Sequence, residues 1–168
     1  MKNNYFLMGD VVFIEVMYKG QQHWTQVSLE KLEKLLRTDV RWYIMNVGGK
    51  YDKFYVGAQI HGTTVYLHQF VTNPPKGMVV DHINHNSLDN HDANLRVLTT
   101  AQNAQNRKGA TRANKSSGYR NVTRRGNRWQ VQMKVNGKYM HIGNYGTPEE
   151  ANEVAIAKRK ELFPYSTN

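Results

Sequence analysis

The sequence predicts an α+β chain: a strand-rich N-terminal lead-in, a compact strand–loop–strand–helix core, and a three-stranded antiparallel sheet packed on one helix. Three observations carry that prediction. Apolar residues alternate with polar ones through Trp129, Val131, Met133 and Val135, as in a half-buried strand. Two short apolar runs, Met78 to Val80 and Leu95 to Leu98, flank a polar loop of Asn, His, Ser and Asp. A Thr-Pro-Glu-Glu start at Thr147 opens an amphipathic helix.

From the N-terminus, Val11 to Met17 reads as a strand, and Gly20 turns the chain into a second one around Trp24 to Val27. Ser28 can cap a short helix whose Leu29, Leu32, Leu35 and Leu36 form a core-facing stripe. Arg41 to Val47 and Tyr51 to Ala58, separated by Gly48-Gly49, read as a hairpin. Thr63 to Val71 reads as a further strand carrying His68. Pro74-Pro75-Lys76-Gly77 then turns the chain into the first apolar run of the core.

Asp81 and His82 fall at the end of that first core strand. After the second, Thr99 or Thr100 can cap a helix running through Asn103 and Asn106. Hydrolysis of a phosphodiester near neutral pH needs a base to activate water and a cation to offset charge on phosphate and leaving oxygen. Asp81 offers an anionic oxygen, Asn103 a neutral one, and His82 titrates near the right pH. Oxygen donors favour Mg2+ or Mn2+, one ion per site, over zinc. Four histidines, His68, His82, His85 and His91, raise a structural zinc site as a rival, with no cysteine to close it. His85 and His91 read more simply as solvent-facing loop residues.

The segment from Val79 to Asn103 resembles the HNH nuclease family, and within it the phage and intron-associated branch. The resemblance rests on Asp81-His82, on Asn94-Leu95-Arg96 and on Asn103, where the family name expects His. It implies a ββα-metal core, with His82 as general base, Asn94 as a loop clamp that orients the base, and Asp81 with Asn103 as metal ligands. Members of that branch carry a strand ending Leu-His-Arg before the core. Here it reads Leu67-His68-Gln69, which makes His68 a possible accessory residue.

Beyond Asn106, Arg107 to Ser117 is basic and rich in small polar residues, and reads as a linker. Structure resumes with a strand from Tyr119 through Arg124, a Gly126-Asn127 turn, the alternating strand, the Asn136-Gly137 hairpin signal and a third strand from Lys138 to Gly143. In the closing helix Thr147 is the cap and Glu150 closes a capping box, and Ala151, Val154, Ala155 and Leu162 face the sheet. The pattern Ser117-Gly118-Tyr119-Arg120-Asn121-Val122, Arg128-Trp129-Gln130-Val131 and Ile142-Gly143-Asn144-Tyr145 resembles the Apetala-type DNA-binding domain of plant ethylene-response factors. That resemblance implies a sheet laid in the DNA major groove. Together the two resemblances cover about residues 63 to 163, and the expected divisions are 1–62, 63–106, 107–117 and 118–168.

Charge is divided unevenly along the 168 residues. The net charge is +10, yet residues 1–92 are balanced, and residues 93–148 hold eleven Lys and Arg and no acid. Such a field calls for a polyanion. Expected DNA contacts are Arg96, Arg107, Lys108, Arg112, Lys115, Arg120, Arg124, Arg128, Trp129, Gln130, Gln132 and Lys134, with core packing an equal claim on Trp129. The absence of cysteine excludes disulfides, and a mean hydropathy of -0.70 suits a soluble protein. Apolar clusters broken by Asp10 and Glu15 fit neither a signal peptide nor a membrane span.

The expectation is a metal-dependent, nicking DNA endonuclease of phage or homing type. It would act on double-stranded DNA in a bacterial cytoplasm as a monomer or weak dimer, with no membrane and no obligatory protein partner. A non-catalytic DNA-binding transcriptional regulator and an RNA-directed protein are the competing readings.

Overall fold

The computed structural model describes residues 1–48, 53–107, 109–110, 114 and 116–167. Its contacts divide the chain into two compact units, Met1–Thr100 and Ala101–Asn168.

In the first unit, β1 (Tyr5–Met8), β2 (Val11–Tyr18) and β3 (Gln21–Ser28) form an antiparallel sheet. Val12, Ile14 and Val16 alternate inward along β2 and are fully buried, as a half-buried strand requires. Lys19 and Gly20, both at positive φ, close the β2–β3 turn. A 3-10 turn (Leu29–Lys31) then runs into α1 (Leu32–Leu36). Of the expected leucine stripe only Leu35 is fully buried, and Leu29 and Leu36 are exposed. Ser28 occupies the cap position without a side-chain capping bond there; its Oγ accepts the N–H of Asp92 at 2.8 Å.

Strands β4 (Tyr43–Asn46), β5 (Phe54–Ile60) and β6 (Thr63–Tyr66) form a second antiparallel sheet. The expected β4–β5 hairpin is present, although Gly49 and Tyr51 lie outside the described residues. The expected strand from Thr63 to Val71 stops at Tyr66 and becomes α2 (Leu67–Thr72). Leu67, Phe70 and Val71 have helical i, i+3, i+4 spacing, and burial of Leu67, His68 and Val71 with Gln69 exposed is a helix face and not strand alternation. Asn73 ends the helix in the left-handed region (φ 46), and its N–H donates to the Gln69 carbonyl, just ahead of Pro74-Pro75.

The core runs apart by residue number and together in space. Strand β7 (Val79–His82) pairs antiparallel with β9 (Leu95–Leu98), which places Asp81 opposite Arg96 and His82 opposite Leu95. Between them the loop forms an unexpected strand, β8 (Asp89–Asn90), which pairs in parallel with β3 through Gln26↔Asp89 and Val27↔Asn90. The N-terminal strands and the β7–β9 pair therefore share one apolar core, from Val12 and Val27 through Trp42 and Leu67 to Val80 and Leu95. Residue 62, an expected boundary, falls between residues of that one core. The helix after β9 is one short turn, α3 (Thr100–Asn103), continued by a 3-10 turn (Ala104–Asn106).

In the second unit, β10 (Val122–Arg125), β11 (Arg128–Val135) and β12 (Lys138–Tyr145) form an antiparallel sheet in that order, followed by α4 (Pro148–Leu162). Asn136 (φ 49) and Gly137 (φ 82) make the hairpin turn that their sequence predicts. Val122, Val131, Met133, Ala151 and Ala155 form its core. Thr147 Oγ1 caps α4 by accepting the Glu150 N–H at 3.2 Å. Glu150 reaches one residue further than a capping box, to the N–H of Gly146. No described helix is long and apolar enough to cross a membrane.

Candidate active site

His82 ends β7 and is 7% exposed. Its Nε2 lies 3.1 Å from Oδ1 of Asn90, which is fully buried. Burial lowers the His82 pKa below the ordinary histidine value, against the opposing pulls of the Asn90 hydrogen bond and the Asp81 and Asp89 charges. The ring is therefore neutral near pH 7, as a base must be.

The geometry also fixes which nitrogen carries the proton. Thr25 Oγ1 donates its one proton to the Leu88 carbonyl at 2.7 Å, so it can only accept from Asn90, whose Nδ2 stands 2.9 Å away. The same Nδ2 faces the Ser87 carbonyl at 3.3 Å. Asn90 Oδ1 is thereby turned to His82 and needs an Nε2–H, leaving Nδ1 as the ring's acceptor.

Asn94, the expected clamp, is buried and holds the loop at both ends. Its Oδ1 accepts the Asn84 N–H at 2.9 Å, its Nδ2 donates to the Asp89 carbonyl at 2.8 Å, and its own carbonyl accepts the Ile83 N–H. Direct contact with His82 belongs to Asn90. Nothing in the sequence distinguished Asn90 from the other loop asparagines, because its selection comes from β8 pairing with β3.

His68 packs beside His82, with ring centroids 5.1 Å apart, and Tyr55 flanks both at 5.0 and 6.1 Å. Burial, then the His82 and Lys53 charges, push its pKa down to about 4. His91 accepts the Ala93 N–H through Nδ1 and caps a 3-10 turn.

Asp81 receives both Nε and Nη2 of Arg96 on Oδ2, at 3.0 and 2.8 Å. That ion pair engages an expected ligand and an expected DNA contact with each other. Asn103 is half-buried at the end of α3, in the second compact unit. Among the described residues no three His, Cys, Asp or Glu side chains form a metal cage. As donor types, an aspartate carboxylate and an asparagine amide are hard oxygen ligands of the kind Mg2+ and Mn2+ take, not the nitrogen and sulfur set that zinc prefers.

Within the second unit the expected DNA contacts separate. Arg128, Gln130, Gln132 and Lys134 alternate with the buried row and lie on the sheet face away from it. Register adds residues that the sequence reading omitted. Arg125 Nε donates to Gln130 Oε1, and Gln130 Nε2 in turn lies 3.0 Å from His141 Nδ1. Trp129 packs against the core instead, with the Arg124 guanidinium 5.9 Å from its ring. Arg120 departs from the expectation, since its guanidinium donates to the carbonyls of Ala104, Gln105 and Arg107. Burial, then Arg159 and Arg107, lower its pKa to about 10, which leaves it charged. Arg107 is exposed, and Lys108, Arg112 and Lys115 lie outside the described residues.

Residues 69–105 match a family model described as HNH endonuclease. A protein of Acanthamoeba polyphaga mimivirus, named as an uncharacterized HNH endonuclease, is 29% identical over 161 residues, covering 96% of this chain and 82% of its own. The family match does not reach the C-terminal sheet. No solved structure matches the chain.

Proposed function

We propose, from the premise that the chain carries an HNH endonuclease domain and is a DNA-cleaving hydrolase, that it is a metal-dependent nicking enzyme whose second unit directs it on duplex DNA. One observation carries the mechanism: a histidine inside the matched segment that burial disposes to the neutral form, with Nε2 3.1 Å from the Asn90 amide oxygen. His82 takes a proton from water at Nδ1, and the resulting hydroxide attacks phosphorus as the P–O bond breaks, the leaving sugar oxygen taking the electron pair and a proton from solvent. Asn94 holds the loop that carries Asn90, and His68 with Tyr55 excludes water from the other side of the ring.

Asp81 and Asn103 are the residues we assign to a divalent cation, Mg2+ or Mn2+, which when bound offsets charge on the phosphate and the leaving oxygen. Arg96 would share the Asp81 carboxylate with it. One such constellation per chain cuts one strand, so a single visit leaves a nick.

For the second unit we assign an Apetala-type mode, with the face bearing Arg128, Gln130, Gln132 and Lys134 against base edges and phosphates. The alternation along β11 and the acid-free run of residues 93–148 support it. Phage or homing ancestry is part of the same reading, which the viral origin of the relative suits.

The test is supercoiled plasmid incubated with Mg2+, with Mn2+ and with chelator. Metal-dependent conversion to the nicked circle is the expected result. DNA binding without cleavage under any of these conditions would overturn the reading and leave a DNA-binding regulator.

A further inference from the structure

Thr25 belongs to a strand 57 residues before the base, far outside the segment matched to the nuclease family. It is fully buried, and its hydroxyl is a link in a chain with defined donors and acceptors: Thr25 to Leu88, Asn90 to Thr25, His82 to Asn90. Thr25, Asn90 and His82 are all buried, and the two bonds that join them lie away from water. The frame behind it is rigid. The Gln26 N–H also donates to the Leu88 carbonyl at 2.9 Å, Ser28 Oγ accepts from Asp92, and Lys31 pairs with Asp92 at 3.0 Å.

We propose that Thr25 and Asn90 are positioning residues that keep the His82 proton on Nε2, which makes the N-terminal sheet a working part of the active site. The inference rests on His82 being the base. With the proton on Nδ1, Asn90 Oδ1 and His82 Nε2 would face each other as two acceptors at 3.1 Å in a buried site, and this geometry excludes that state. The amide could relieve the clash only by turning over. Turning would set Oδ1 against the Ser87 carbonyl and against an Oγ1 whose proton is committed to Leu88. The Thr25 hydroxyl thus acts through the amide on a ring it does not touch. Removing it leaves only the longer Ser87 contact to oppose that turn, which presents the NH2 to Nε2 and draws the proton to Nδ1.

The experiment is a long-range proton–nitrogen NMR correlation of the histidine side chains in the full-length, 15N-labelled protein. It is run at fixed neutral pH with chelator present, the His82 signals being identified by their loss in His82→Ala. The wild type should show His82 protonated at Nε2. Thr25→Val, close in shape and lacking the hydroxyl, should move a measurable fraction of the proton to Nδ1. On plasmid it should slow nicking on the order of tenfold, less than the ~100- to 10,000-fold of outright general-base loss, with DNA affinity unchanged. Thr25→Ser should restore both. A wild-type His82 protonated at Nδ1 would overturn the proposal whether or not any variant folds, as would a folded Thr25→Val with an unaltered tautomer. Full activity of His82→Ala is a separate result that removes the base and not the tautomer.

Discussion

His82 and His68 lie side by side with little access to water, and both consequences of that burial can be measured. Under the proposed mechanism, His82→Ala should lower the nicking rate by ~100- to 10,000-fold, with DNA affinity nearly unchanged in a binding titration. For His68 the consequence is thermodynamic. Its folded pKa of about 4 lies below the ordinary 6.5, so the unfolded chain binds the proton first. Stability is therefore complete above pH 6.5 and is lost as pH falls toward 4, by about 3 kcal/mol from this residue. His82, lowered in the same direction, adds to the loss. His68→Phe keeps an aromatic ring and removes one titration, so its urea midpoint should fall less steeply between pH 6.5 and 4 than that of the wild type. Parallel slopes would show that His68 is not the group responsible. For the proposed metal ligands, Asp81→Ala should lose activity that high Mg2+ restores only in part, whereas Asn103→His should keep some. An inactive Asn103→His beside a fully active Asn103→Ala would remove Asn103 from the ligand set.

At the scale of elements, the C-terminal sheet assigns different work to arginines that look alike in sequence. Arg128 lies on the face away from the core, and Arg120 donates to three backbone carbonyls at the end of a helical turn. Arg128→Ala should weaken DNA binding and flatten log K against log salt by ~0.9, the loss of one phosphate contact. Arg120→Ala should instead cost about 1–2 kcal/mol of stability through the orphaned carbonyls, with the salt slope retained in the folded protein. Measuring melting temperature and salt dependence on both variants separates the roles. An Arg120→Ala protein of normal stability with a reduced slope would return Arg120 to the DNA contacts.

For the whole molecule, the first unit joins what the sequence divides. The core that supports β7 and β9 includes Val12, Ile14, Val16 and Val27, and β8 has its strand partner in β3. A fragment of residues 63–106 gives up those side chains and that pairing, so it should remain unfolded by circular dichroism and amide dispersion. A cooperatively folded fragment would show that the N-terminal strands are dispensable. The sequence by itself determined what depends on near neighbours. The β7–loop–β9 order, the alternation of β11, the Asn136-Gly137 turn and the Thr147 cap follow from period, turn chemistry and capping, all satisfied within a few residues. It also placed the Asp-His pair at a strand end, because a short apolar run fixes where that strand stops. Only the tertiary structure decided that Leu67–Thr72 coils, that Asn90 and not Asn94 meets His82, that Arg96 faces Asp81, and that Arg120 turns inward. Those outcomes follow from which buried donors and acceptors meet across distant strands, as Thr25 and Asn90 do 65 residues apart, and no local pattern encodes that pairing.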